Sequence, residues 1–194
     1  MMPASSSRVR VGLLFGSFNP VHIGHLILAE HFATRTDLAE VWLVVTPHNP
    51  FKDVVDLLPD AERLRLVELA LVGNPHLRAE SIEFSLPRPS YTIATLDALR
   101  LRHPALDFVL LMGADNLPGL PRWQESARLL VEVDVYVYPR TGTDSPELTQ
   151  FPRVQRIAAP LLNISATYIR ESLRAGKSIR YLVPAAVEIE LLKK

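Results

Sequence analysis

The densest chemistry in the chain lies in ten residues, Gly16-Ser17-Phe18-Asn19-Pro20-Val21-His22-Ile23-Gly24-His25. They follow an apolar run at 9–15 and lead into helical periodicity over 25–32. His22 and His25 are three apart, so on a first helical turn they share a face. Gly24 leaves open surface beside both rings, and Gly16 and Ser17 are small enough for a ligand to approach the backbone. The start of a helix adds N–H groups and the positive end of a dipole. Three readings compete. Both histidines can be structural, satisfied by nearby backbone. They can form a metal pair, which needs further ligands that the absent cysteines and the spacing of the other histidines do not supply. Or they can donate to phosphate oxygens and stabilise charge that develops during nucleotidyl transfer. The third reading uses every feature of the stretch, and we prefer it.

Those side chains need a frame. Residues 9–15, 41–46, 107–112 and 133–138 read as strands, and they are continuously apolar rather than alternating. Residues 25–32, 59–72 and 165–175 read as helices, the last stopped by Gly176, and Ser90 is placed to cap another carrying Ile93, Leu96 and Leu99. Strands alternating with helices imply an α/β fold: a Rossmann-like, doubly wound parallel sheet with helices on both faces. With 194 residues the expectation is one domain over 1–194, with a helical C-terminal part from about 165. The turn-rich stretches 47–59 and 138–152 read as active-site loops.

Composition narrows the function. Lys+Arg and Asp+Glu are 21 each, so a protein built to coat nucleic acid is not expected. Residues 151–194 nevertheless hold eight basic against three acidic side chains, the balance a polyphosphate pocket uses. There is no cysteine, which excludes disulfides, thiolate metal sites and a Cys nucleophile. No run is long enough for a signal peptide or a membrane span, so a cytoplasmic location without membrane contact is expected. No resident metal site is expected, and a homo-oligomer is compatible with the sequence.

Two nucleotide signatures fail. Gly12, Gly16 and Gly24 lack the dinucleotide-binding spacing. Gly176-Lys177-Ser178 looks like the end of a phosphate loop, but the required first glycine is Glu171 and the segment follows a helix.

Residues 17–25 resemble the (T/S)F(D/N)PxHxGH signature of the HxGH nucleotidyltransferases, and Ile164-Ser165-Ala166-Thr167-Tyr168-Ile169-Arg170 resembles their second signature, ISSTxIR. Pro89–Leu96 (PSYTIATL), Met112–Leu117 (MGADNL) followed by Trp123, and Gly176–Pro184 (GKSIRYLVP) are similar to segments of the bacterial nicotinate-nucleotide adenylyltransferases. The likeness covers nearly the whole chain. It implies adenylyl transfer from ATP to nicotinate mononucleotide, with Mg²⁺ accompanying ATP. It implies catalytic roles for His22, His25, Lys52 and Arg170. It places ATP at Gly16, Ser17, Phe18, Gly24, Gly113, Asp115, Ser165 and Thr167, and the mononucleotide at Asn49, Tyr91, Thr92 and Trp123. Four positions depart from the pattern. Phe15 stands for a glycine, Asn19 for the commoner Asp, Phe51 for the His of a PHK tripeptide (with His48 close by), and Ala166 for a serine. Other phosphorylated acceptors, the amide mononucleotide or phosphopantetheine, remain as alternatives, as does a nucleotide-binding sensor without turnover.

Overall fold

The computed structural model describes residues 8–47, 57–140, 151–160 and 162–193. Among these residues six strands form one parallel sheet: β1 (Val9–Gly16), β2 (Glu40–Val45), β3 (Leu77–Glu80), β4 (Leu106–Gly113), β5 (Asp134–Tyr138) and β6 (Val154–Arg156). Their spatial order is β3-β2-β1-β4-β5-β6. Among the described residues six helices accompany them: α1 (Ile23–Arg35), α2 (Asp60–Leu71), α3 (Thr92–Arg102), α4 (Ser126–Glu132), α5 (Ala166–Arg174) and α6 (Ala185–Leu191). Two 3₁₀ turns cover Ile82–Ser85 and Ala114–Arg122. The doubly wound arrangement is the one expected.

The continuous apolar runs have a simple cause. Val11 and Leu13 of β1, with Phe108 and Leu110 of β4, pack on one side with Ile93, Leu96 and Leu99 of α3 and Leu129 of α4. Leu14, Leu43, Val45 and Leu111 face the other side. There they meet Leu28 and Phe32 of α1, Leu66 and Val67 of α2, and Ile169 and Val187 further along. Each strand therefore buries both of its faces, and alternation would expose a polar residue to the core.

The sequence pattern does not reveal β3 (LRAE) or β6 (VQR). Both are the sheet's outer strands, short and half polar, as edges that must not recruit further strands tend to be. The helix expected after Ser90 exists, but Ser90 does not cap it. Tyr91 is the N-cap, no side chain caps the turn, and Ser90 is buried with its hydroxyl turned inward. No helix among the described residues is long and apolar enough to cross a membrane.

From β1 the chain crosses to β2 on one side, while β4 pairs with β1 on the other. The order thus reverses at β1, and in such parallel sheets ligands bind in the crevice outside the C-terminal ends of the neighbouring strands.

Candidate active site

The crevice gathers segments from distant parts of the chain. Residues 17–22 leave β1, Asp115 follows β4, Arg140 follows β5, and α5 brings Ser165 to Arg170. Arg170 Nη1 donates to the Asn19 carbonyl at 2.8 Å, joining two motifs 151 positions apart. Its Nη2 donates to Thr167 Oγ1 at 3.3 Å. Arg170 Nε is buried with no partner among the described residues. Ser165 is the N-cap of α5, and its hydroxyl accepts the Tyr168 N–H at 3.1 Å. That hydroxyl still has a proton to donate towards a ligand.

His22 is the N-cap of α1 and His25 its third helical residue. Their rings stack with centroids 3.6 Å apart, inclined by 21°. His25 Nδ1 accepts the His22 backbone N–H at 3.2 Å. A neutral ring with Nδ1 as acceptor carries its proton on Nε2, so His25 is fixed as an Nε2–H donor. His22 is 6% exposed, and its Nδ1 has no partner among the described residues. Burial, with the Arg140 cation as a lesser cause, lowers its pKa to about 4. The site thus holds a neutral His22 imidazole, stacked on His25, beside an arginine.

Several readings need correction. Gly24 does not leave open space beside the rings. A Cβ there would sit 3.1 Å from two atoms of the His22 ring, so the glycine admits the ring itself. Gly16 likewise makes room for Phe18, whose ring a Cβ would meet at 2.9 Å. The Phe18 side chain is 1% exposed and packs edge-on against His25 at 5.0 Å. It supports the histidine, and only its backbone is left for a nucleotide. The helix start is also less open than expected, because the Leu182 carbonyl takes the Ile23 N–H at 2.9 Å. The closing segment 176–184 therefore caps α1. Asn19, in place of the commoner Asp, is buried and accepts the Leu58 N–H through Oδ1 at 3.0 Å, an acceptor's role that either residue fills.

Gly113 ends β4, and a Cβ there would lie 2.3 Å from Asp115 Oδ1, so the carboxylate folds back over the glycine. Arg140 Nε stands 3.6 Å from the same oxygen. Arg140 was missed in the sequence. It lies in a turn-rich stretch, and only the sheet order brings it to the crevice. Arg63 was missed too, because its helical spacing reads as an ordinary solvated face. It is fully buried. Its Nη1 donates to the carbonyls of Ser17 (2.5 Å) and Thr46 (2.8 Å), Nη2 to Pro47 (3.2 Å) and Asp60 (2.6 Å), and Nε to Leu58 (3.0 Å). It braces the turns that follow β1 and β2, and its burial pulls its pKa down.

On the other wall, Thr92 opens α3 and Tyr91 is 38% exposed. Trp123 ends the Ala114–Arg122 turn, half-buried against the α3-side core. Lys52, Asn49, His48 and Phe51 lie outside the described residues. Among the described residues, no cluster of three His, Asp or Glu side chains forms a metal site.

A family model described as cytidylyltransferase-like matches residues 13–172. Curated relatives match nearly end to end. A probable nicotinate-nucleotide adenylyltransferase of Cytophaga hutchinsonii is 47% identical over 96% of this chain and 97% of its own. Another, of Bacteroides fragilis, is 45% identical over 97% and 94%. Among solved structures, the fold is similar to that of Plasmodium falciparum nicotinic acid mononucleotide adenylyltransferase complexed with NaAD. There the TM-score is 0.78 and the identity 18%, covering 95% of each chain.

Proposed function

The chain belongs to the nicotinate-nucleotide adenylyltransferases, within the cytidylyltransferase-like family, and on that premise we propose how its residues share the work. The enzyme transfers the adenylyl group of ATP to nicotinate mononucleotide in NAD biosynthesis, giving nicotinate adenine dinucleotide and pyrophosphate. An oxygen of the mononucleotide 5′-phosphate attacks the α-phosphorus, and the bond to the bridging oxygen of pyrophosphate breaks. The attacking phosphate is already an anion, so no protein nucleophile is required. Catalysis is positioning and charge stabilisation.

His25 Nε2–H and His22 donate to ATP phosphate oxygens and meet the charge that moves towards pyrophosphate. Ser165, Thr167 and Arg170 hold the β- and γ-phosphates at the start of α5, and Lys52 adds charge after β2. The backbone of Gly16 and Ser17 lets the nucleotide lie against the first turn, and Gly24 admits the His22 ring that faces it. Gly113 and Asp115 take the adenosine ribose, with Arg140 released from Asp115 to the phosphates. Mg²⁺ enters on ATP, held by phosphates and water. Trp123 stacks on the pyridine ring, Tyr91 and Thr92 offer the N–H groups of α3 to its carboxylate, and Asn49 completes that side. A cytoplasmic location, one domain and the absence of nucleic-acid partners belong to the same reading. A homo-oligomer is compatible with it.

The observation that carries this reading is the Arg170–Asn19 contact, which closes the two motifs into one cradle. Pyrophosphate release from Mg²⁺-ATP tests it with three acceptors: nicotinate mononucleotide, the amide mononucleotide and phosphopantetheine. The acid should be used best. Faster turnover of phosphopantetheine would overturn the acceptor. Trp123→Ala should raise the mononucleotide KM about 5- to 150-fold and leave the ATP KM unchanged. A large fall in Tm with both substrates affected alike would instead make Trp123 part of the core.

A further inference from the structure

A second acidic group lies under the wall assigned to the ring carboxylate. Glu83, in the 3₁₀ turn after β3, is 2% exposed. Its Oε1 accepts the hydroxyl of Thr95, itself fully buried in the first turn of α3, at 2.7 Å. Thr95 Oγ1 also lies 3.2 Å from the Tyr91 carbonyl, within the same turn. Glu83 Oε2 and Ser90 Oγ are both buried and form no hydrogen bond of proper geometry among the described residues. Burial raises the Glu83 pKa, and the hydroxyls of Thr95, Thr46 and Ser90 pull more weakly the other way. No cation among the described residues figures among those influences. Glu80, on the same side of the sheet, is engaged with the Ser81 and Ile82 N–H groups (2.9 Å each) and with Arg78 (3.5 Å) and Arg102 (3.9 Å).

We propose that Glu83 is a positioning residue for the acid mononucleotide: as a neutral carboxylic acid it tethers the first turn of α3 through Thr95 and leaves that turn's N–H groups to an anionic ring substituent. This rests on the assignment of Tyr91 and Thr92 to the ring carboxylate. An ionised Glu83 would put a second negative charge beneath the same helix start and compete with the substrate for its positive end. Burial without a neighbouring cation favours the protonated group, and the proton removes that competition. The arrangement suits an acid ring better than an amide ring, because only the acid gains charge-assisted bonds from the exposed N–H groups.

Three variants test the proposal, each with KM for both mononucleotides and for ATP. Glu83→Gln keeps shape and neutrality, and should hold the acid-over-amide ratio of kcat/KM within about threefold. Thr95→Val removes the tether with little change of shape, and should raise the acid KM about tenfold without moving the ATP KM. Thr92→Pro removes one N–H at a helix position that tolerates proline, and should lower the same ratio. An infrared difference spectrum of wild type minus Glu83→Gln should carry the carbonyl stretch of a protonated carboxyl group. An unchanged ratio in Thr92→Pro would overturn the carboxylate subsite and this proposal with it. With that ratio lowered, the proposal alone is overturned by ionised-carboxylate bands, by a ratio in Glu83→Gln changed more than tenfold, or by Thr95→Val affecting ATP and mononucleotide alike.

Discussion

The two ends of the sheet treat their charges differently. At the N-terminal ends of the strands, Arg10 is surrounded by acceptors. It pairs with Asp37 and Asp134, stands 3.4 Å from Asp107 and donates to Tyr136 Oη at 2.9 Å. Arg153 closes on Asp134 at 3.0 Å. At the C-terminal ends, Arg63 donates to four carbonyls and has Asp60 for a counter-charge, and Arg170 reaches a carbonyl and a hydroxyl. Five buried side-chain atoms among the described residues make no hydrogen bond. Four of them, on His22, Glu83, Ser90 and Arg170, lie at this second end or beneath its walls. Unfinished polar groups are costly unless something completes them. Apart from His103 Nε2, the first end is finished by its own residues, and on the proposed reading substrate phosphates and a ring carboxylate finish the other.

The sharpest way to break this contrast is at His25. His25→Ala should lower kcat about 10²–10³-fold while ATP KM and Tm change little, since one preorganised donor is lost where charge develops. Near-native kcat with a raised KM would show uniform binding instead. A second effect belongs to His22. Its folded pKa is depressed, so below about pH 6.5 the unfolded chain binds the proton first and stability falls as pH drops to about 4. A depression of that size is worth roughly 3 kcal/mol. Between pH 7 and pH 4.5 wild type should lose more Tm than His22→Gln, and parallel losses would contradict the account.

The finished end responds differently. Arg10→Met leaves three carboxylates facing one another. It should cost roughly 2 kcal/mol, discounted because the arginine is partly exposed, and lower Tm by about 4–8 °C. Both KM values should stay as they are, and a changed KM would link the two ends. The smallest effect is expected at Ser165→Ala, which removes a helix cap worth about 1 kcal/mol. If the hydroxyl also serves phosphate, ATP KM rises beyond what the Tm loss explains.

The sequence revealed those parts of the fold whose physics is local. A strand buried on both faces needs an unbroken apolar run, so β1, β2, β4 and β5 were readable. The edge strands β3 and β6, half solvated and short, left no such trace. The two motifs that we propose as a phosphate cradle were readable, but their supports were not. Arg63, Arg140 and Glu83 act through partners far along the chain, and only the crossover order brings them to the crevice. Gly16 and Gly24 were recognised as necessary for the wrong reason. They yield space to Phe18 and His22, and side-chain packing of that kind has no signature in a single sequence.

The central claim is that one ligand completes two distant motifs and leaves the opposite end of the sheet untouched. Amide hydrogen exchange, with and without nicotinate mononucleotide and a non-hydrolysable ATP analogue with Mg²⁺, measures this directly. Protection should rise together in 16–25 and 165–170, rise at the start of α3, and stay unchanged around Arg10, Asp37 and Asp134. Protection confined to one of the two motifs, or of equal size at both ends of the sheet, would contradict the account.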